Sequence, residues 1–342
     1  MTKKKIIISV LLILVFLILA SVILLSFLDK KKKQENAFPT ITLSGEKVVT
    51  LPVNEKYKDP GCTAQDGEGN DITGEVKMQL PVIKNSGTYK VTYTVTAKNG
   101  KTARIQRTIK AVLPPQTKAG KKRGLAILMY HNVYNEKKPP KKIDANCIST
   151  KALEEELKYL IKNKYYFPTW KEVKSYVEGK VDLPEKSVVL TFDDGTRLFE
   201  KNGVPLLKKY KVPATAFIIA KYNGKHWRKK NYPGLTLQSH SYNMHRPGGK
   251  IGHGGIFTAL SLKDAVKDLK TSAKVLRGNK DAFAYPFGDY NDKCVEALKK
   301  SGFLCGVTTQ YGKIHPGDNP WLLSRVRVNG SPSLSVFISS IK

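Results

Sequence analysis

Apolar and polar positions along this chain fall into three textures. Residues 6–28 form an uncharged stretch in which only Ser9, Ser21 and Ser26 are polar, bracketed by lysines at 3–5 and 30–33. A run of that length predicts a helix that spans a bilayer. Its apolar core exceeds the roughly 7 to 15 residues of a cleavable signal peptide, no small-residue cleavage site follows it, and it is apolar on every face, unlike a one-sided core helix. Residues 39–112 change to short β-prone runs: 91–97 (VTYTVTA) alternates apolar and polar positions, Asn99-Gly100 is a hairpin signal, and 102–111 resumes an extended pattern. This predicts a small all-β sandwich. Residues 113–124, with Pro114-Pro115 and a basic cluster, read as a linker, as do 29–38, leaving 1–5 as a cytoplasmic tail.

From residue 125 onward, strand-like and helix-like segments alternate. The apolar runs 125–130 and 187–192 and the segments 214–220, 235–238 and 282–285 read as strands. Helical spacing marks 149–163 (Leu153, Leu157, Leu160, Ile161), 198–209, 261–276 and 291–300. Such alternation predicts parallel βα units in a barrel or a doubly wound sheet, where chemistry gathers just beyond the C-terminal ends of strands.

Charge alters this picture little. The 342 residues include 59 Lys and Arg against 28 Asp and Glu, a formal net charge of +31. The excess runs along the whole chain with no recognition helix, zinc finger or ribonucleoprotein signature, so no nucleic-acid partner is expected. Lysines on both sides of the apolar stretch leave its orientation open by charge. Cys62, Cys147, Cys294 and Cys305 make no metal-finger spacing and read as buried thiols; a Cys294–Cys305 bridge is permitted by an oxidising compartment but not implied.

Three strand ends hold the candidate chemistry. Thr191-Phe192-Asp193-Asp194-Gly195 follows an apolar run, and two adjacent carboxylates at a buried strand mouth demand a cation or a proton. Ser239-His240-Ser241-Tyr242-Asn243-Met244-His245 carries two imidazoles with four residues between them, about 140° apart on an ideal helix, so they share a ligand only from an irregular loop. One Asp and two His leave open positions for water, as in a catalytic zinc site. Ala284-Tyr285-Pro286-Phe287-Gly288-Asp289 is a turn whose N–H groups suit a developing oxyanion.

In this order the three motifs resemble the polysaccharide deacetylases of carbohydrate esterase family 4, over roughly residues 126–341. The resemblance implies an α/β fold with a distorted (β/α) barrel. It implies a divalent metal, expected to be Zn²⁺, on Asp194, His240 and His245, with Asp193 as general base and the Phe287 N–H at the oxyanion. The preceding segment resembles bacterial immunoglobulin-like modules, through Tyr57-to-Thr73 (Y-x-D-P-G…D-I-T) and Gly87-Thr88-Tyr89. The family spaces its two His one residue closer; the longer spacing and Met129-Tyr130-His131-Asn132-Val133 are similar to the branch containing poly-N-acetylglucosamine deacetylases. The family's Arg near the third motif is Ala284 here, so Arg325 or Arg327 is expected to orient Asp193. The family's late His general acid has no counterpart, with His131 and His315 as substitutes, while His226 and His253 lie in exposed stretches.

Tyr242, Tyr285, Phe287 and Trp321 are expected to stack on sugar. These expectations describe a single-pass membrane enzyme, monomeric, with its catalytic domain (125–342) outside the cell. It would hydrolyse the acetamide of an acetylated wall polysaccharide, with peptidoglycan first and poly-N-acetylglucosamine as the alternative. A catalytically inactive wall-binding protein is the reading from another class.

Overall fold

The computed structural model describes residues 3–342, which form two compact units divided between Val112 and Leu113. Helix α1 (Lys3–Glu35) contains the segment Leu11–Lys32, long and apolar enough to cross a membrane, with none of it buried in the protein. The helix continues past residue 28 because Asp29, the lysines and Gln34 include no helix breaker before Pro39.

Apart from a single 3₁₀ turn, Thr73–Glu75, the regular structure in the rest of the first unit is β. Strand β1 (Thr40–Leu43) pairs antiparallel with β3 (Cys62–Gln65), and a four-stranded sheet runs β2 (Val48–Pro52), β6 (Thr102–Val112), β5 (Gly87–Thr96), β4 (Lys77–Gln79). The β5–β6 hairpin turns at Asn99-Gly100, where Gly100 takes a φ of 79°. Leu51, Val91, Tyr93 and Ile109 form the core. Arg107, fully buried among them, donates to the carbonyls of Ser44, Glu46 and Gly61, which satisfies a charge that would otherwise be costly to bury.

The second unit is a closed barrel of seven parallel strands. In order round the barrel these are β7 (Ala126–Tyr130), β10 (Val188–Phe192), β11 (Ala214–Ile218), β12 (Leu235–Ser239), β13 (Ala282–Ala284), β14 (Cys305–Tyr311) and β15 (Leu323–Arg327), which returns to β7. A short parallel pair, β8 (Asn132–Tyr134) and β9 (Cys147–Ser149), follows β7. Every residue of β7, β10 and β11 is buried, which is why they read as continuous apolar runs and not as alternation.

Helices α2 (Lys118–Lys122), α3 (Thr150–Lys162), α4 (Trp170–Val177), α5 (Val204–Tyr210), α6 (Lys225–Arg228), α7 (Leu262–Val275), α8 (Asp292–Ser301) and α9 (Leu334–Ile341) complete the unit. Side-chain caps fix their starts: Ser149 for α3, Thr169 in a capping box with Glu172 for α4, Ser261 for α7 and Asn291 for α8. The helix expected over 198–209 opens instead as a wider π turn, Phe199–Gly203, ahead of α5; Pro205 lacks the N–H that would continue the α pattern backwards.

One buried acid lies against the carboxyl end of β7. Tyr130 donates to Glu156 Oε2 at 2.7 Å, while Oε1 is buried without a partner, and burial pushes the Glu156 carboxyl up to about 8. It is therefore protonated in the fold and ionised in the unfolded chain between about pH 4.5 and 8, so stability declines as pH rises through that window. Glu156→Gln is expected to match the parent near pH 5 and to exceed it by up to about 4 kcal/mol at pH 9, read from urea midpoints. A difference independent of pH contradicts the assignment.

Candidate active site

The strand ends converge on one face of the barrel. Asp193 follows β10, and its backbone N–H is held by the Tyr130 carbonyl at 2.9 Å. The next residue, Asp194, adopts a φ of 69° and Gly195 one of 62°, so two successive left-handed residues turn the chain and let both carboxylates serve one side. Gly195 is also required by space: a Cβ there would lie 2.4 Å from Ile218 Cδ1. Its carbonyl accepts from Trp227 Nε1 at 2.9 Å and Asn223 Nδ2 at 3.2 Å, which pins the turn from β11's following helix.

Arg325, fully buried in β15, clamps Asp193 in bidentate fashion: Nη1 to Oδ1 at 2.8 Å and Nη2 to Oδ2 at 2.7 Å. The clamp is itself fixed by Nε donating to the Thr308 carbonyl and by Nη1 donating to Thr191. Burial alone would push the Asp193 carboxyl up, but Arg325 outweighs it and holds the group well below the usual carboxylate range. Arg327 is not the partner; it donates to Asn146. His131 Nε2 lies 4.0 Å from Asp193 Oδ2, and burial depresses its imidazole against the opposing pull of the two carboxylates.

His240 and His245 meet across the loop that follows β12. Their Nε2 atoms lie 3.5 and 3.6 Å from Asp194 Oδ1, and one donor atom from each of the three residues falls within 4.8 Å of the others. His240 Nδ1 bonds the Ala284 carbonyl at 2.8 Å, which directs Nε2 into the site. Asp194 Oδ1 is buried with no hydrogen-bond donor. An orphaned carboxylate oxygen between two imidazoles fits a divalent ion, and one carboxylate with two imidazoles is a donor set suited to Zn²⁺ or a similar ion with open positions. Burial, and then the neighbouring His240, lower the His245 imidazole, which favours the neutral form a metal requires.

Phe287 lies in a turn after β13 with a φ of 62°, and its ring packs against His245, tilted by 41° with the centroids 4.3 Å apart. Tyr242 is half-buried, in part against the barrel core. Three sequence expectations fail here. Tyr285 is 1% exposed and sealed among Phe257, Phe283 and Tyr290, so no sugar can stack on it. Trp321 precedes β15, between Lys174 and Lys299, at the amino end of the barrel, and His315 lies at that same end beside Gly124, just before β7. Neither reaches the carboxylates. His226 pairs with Glu200, His253 bonds Asp289, and all four cysteines are free thiols.

A parallel barrel carrying an arginine-clamped carboxylate beside an Asp-His-His cluster has the parts for hydrolysis of an amide or ester bond. The polysaccharide deacetylase family model matches residues 180–306, and that of the bacterial surface protein Ig-like domain matches 41–111. The poly-beta-1,6-N-acetyl-D-glucosamine N-deacetylase of Staphylococcus epidermidis is 30% identical over 210 residues, covering 55% of this chain and 70% of that protein. The protein so named from Staphylococcus aureus is 28% identical over 242 residues, covering 63% and 82%. Among solved structures, IcaB from Ammonifex degensii is 26% identical with a TM-score of 0.50, covering 60% of this chain and 92% of that one. The Streptococcus pyogenes deacetylase PplD, 24% identical over 64% of this chain and 98% of its own, shares the fold with a TM-score of 0.56. The chain belongs to the polysaccharide deacetylase family and is a hydrolase of N-acetyl amide bonds, preceded by an immunoglobulin-like domain.

Proposed function

We propose that this protein removes acetyl groups from a β-1,6-linked poly-N-acetylglucosamine outside the cell, tethered to the membrane by α1. The observation that carries the chemistry is the Arg325-clamped Asp193 next to the Asp194, His240 and His245 cluster. The substrate reading rests on the two staphylococcal relatives and on the five-residue step from His240 to His245. It places the neutral-glycan alternative ahead of peptidoglycan, the first expectation from sequence.

Asp194, His240 and His245 would hold the ion, which when bound polarises the acetamide carbonyl and acidifies water. Asp193, kept ionised by Arg325, still offers lone pairs beyond the two the guanidinium occupies, and takes the proton of the attacking water. The Phe287 turn presents backbone N–H to the developing oxyanion. His131, with Nε2 4.0 Å from Asp193 Oδ2, is the group placed to deliver a proton to the departing amine. Collapse breaks the C–N bond and gives acetate and a free amine. Tyr222, 64% exposed on the turn after β11, offers an aromatic surface at this end of the barrel.

Acetate release by the full chain in detergent, compared on purified linear β-1,6 polymer and on purified peptidoglycan, tests the substrate. A kcat/KM at least tenfold higher on the linear polymer is expected. Preference for peptidoglycan would reverse the assignment.

A further inference from the structure

The loop 240–245 has to bring two imidazoles together across an irregular path, and its own sequence does not explain how. Ser241 takes a φ of 72°, uncommon for a residue with a side chain. What holds the loop comes from a different element, helix α7. Asp268 receives two consecutive backbone N–H groups, Tyr242 on Oδ1 at 2.7 Å and Asn243 on Oδ2 at 2.8 Å. One turn further along α7, Ser272 Oγ meets Ser239 Oγ at 2.7 Å, and Ser239 Oγ accepts from the Ser241 N–H at 3.1 Å. Ser241 Oγ then accepts from Met244 N–H at 3.0 Å, the residue before His245. Ser239, Ser241 and Ser272 are fully buried.

From this we infer that Asp268 and Ser272 of α7 are positioning residues, acting through the loop to set the distance between His240 and His245. The two carboxylate oxygens bind adjacent amides, so they fix the rotation of the Tyr242–Asn243 peptide as well as its place. Hydrogen bonds to a charged acceptor are shorter and stronger than those between neutral groups. The role fits the five-residue step between the histidines, since the left-handed Ser241 and two amides whose partner comes from outside the loop are what an irregular loop must accommodate. Arg246 acts on Asp268 as a nearby cation; its Nε donates to the Asn243 carbonyl at 3.1 Å, which ties it to the same loop. The inference rests on Asp194, His240 and His245 being metal ligands.

The test is a metal-affinity measurement on the full chain in detergent, by competition of Zn²⁺ against a chromophoric chelator, with the absorption spectrum of the Co²⁺ form as a second readout. Asp268→Asn keeps the volume but offers one acceptor and turns an NH₂ toward the other amide. It is expected to weaken Zn²⁺ binding about 10- to 100-fold, in the range for groups that orient metal ligands, and to alter the Co²⁺ bands, with KM at saturating metal unchanged. Ser272→Ala leaves the carboxylate in place and is expected to weaken binding about threefold, so it decides the matter if Asp268→Asn does not fold. Parent protein that binds neither ion overturns the ligand assignment itself. Parent protein that binds, together with Asp268→Asn or Ser272→Ala proteins that bind equally tightly with the same spectrum, overturns the positioning role alone.

Discussion

Asp193→Asn is expected to lower the rate of acetate release by about 10³-fold while leaving metal binding within a few-fold of the parent. General-base catalysis by a positioned carboxylate contributes about 10² to 10⁴, and Asn cannot accept the proton of water. The substitution also removes the charge that Arg325 neutralises. Arg325 is fully buried with both η nitrogens on this carboxylate, so the Asn protein retains a desolvated guanidinium with only neutral acceptors. Breaking one side of a buried pair costs about 3 to 5 kcal/mol, and thermal unfolding should register it. The distinguishing feature is the combination of lost rate, lost stability and retained metal. A protein that keeps most of its activity places the base elsewhere, with His131, 4.0 Å away, the next group in reach.

Asp194→Asn separates the two neighbouring acids. Its Oδ1 faces His240 and His245 at 3.5 and 3.6 Å and has no donor of its own. Replacing the carboxylate removes the negative charge from a three-residue donor set, and a neutral amide is a much weaker ligand. Metal affinity is expected to fall by at least 10²-fold and acetate release with it. Excess Zn²⁺ should restore part of the rate, whereas it should restore none in Asp193→Asn. Since no buried cation loses its partner, stability without metal should stay close to that of the parent or rise slightly, as an orphaned buried charge is relieved. Chelation measurements on the two proteins, run side by side with melting curves, check the contrast.

Much of this site was legible in the sequence because its pieces sit where apolar runs stop. Asp193, Asp194, His240 and Phe287 each follow a strand whose buried residues gave a clear signal, and βα alternation fixed which ends would face together. Arg325 was half legible: the Ala at 284 pointed to a substitute cation, but the strand carrying it, Leu323-Ser324-Arg325-Val326-Arg327, reads as a polar stretch because two arginines interrupt it. Strand β14 was hidden for a similar reason, with Gly306, two threonines and a glutamine in seven positions. Tyr285 and Trp321 misled because aromatic residues near motifs serve cores as readily as sugars, and only the fold shows that one is sealed and the other sits at the far end. Asp268 gave no local signal. An acid in an amphipathic helix looks like solvated surface until the loop it holds is in view.

On the proposed reading, deacetylation depends on a divalent ion held by Asp194, His240 and His245. This dependence is tested most directly by stripping the protein with a chelator, removing the chelator, and following acetate release as Zn²⁺ is titrated back. The expected result is loss of activity on stripping and recovery that saturates at one ion per chain. Undiminished acetate release from protein shown to be free of metal would contradict it.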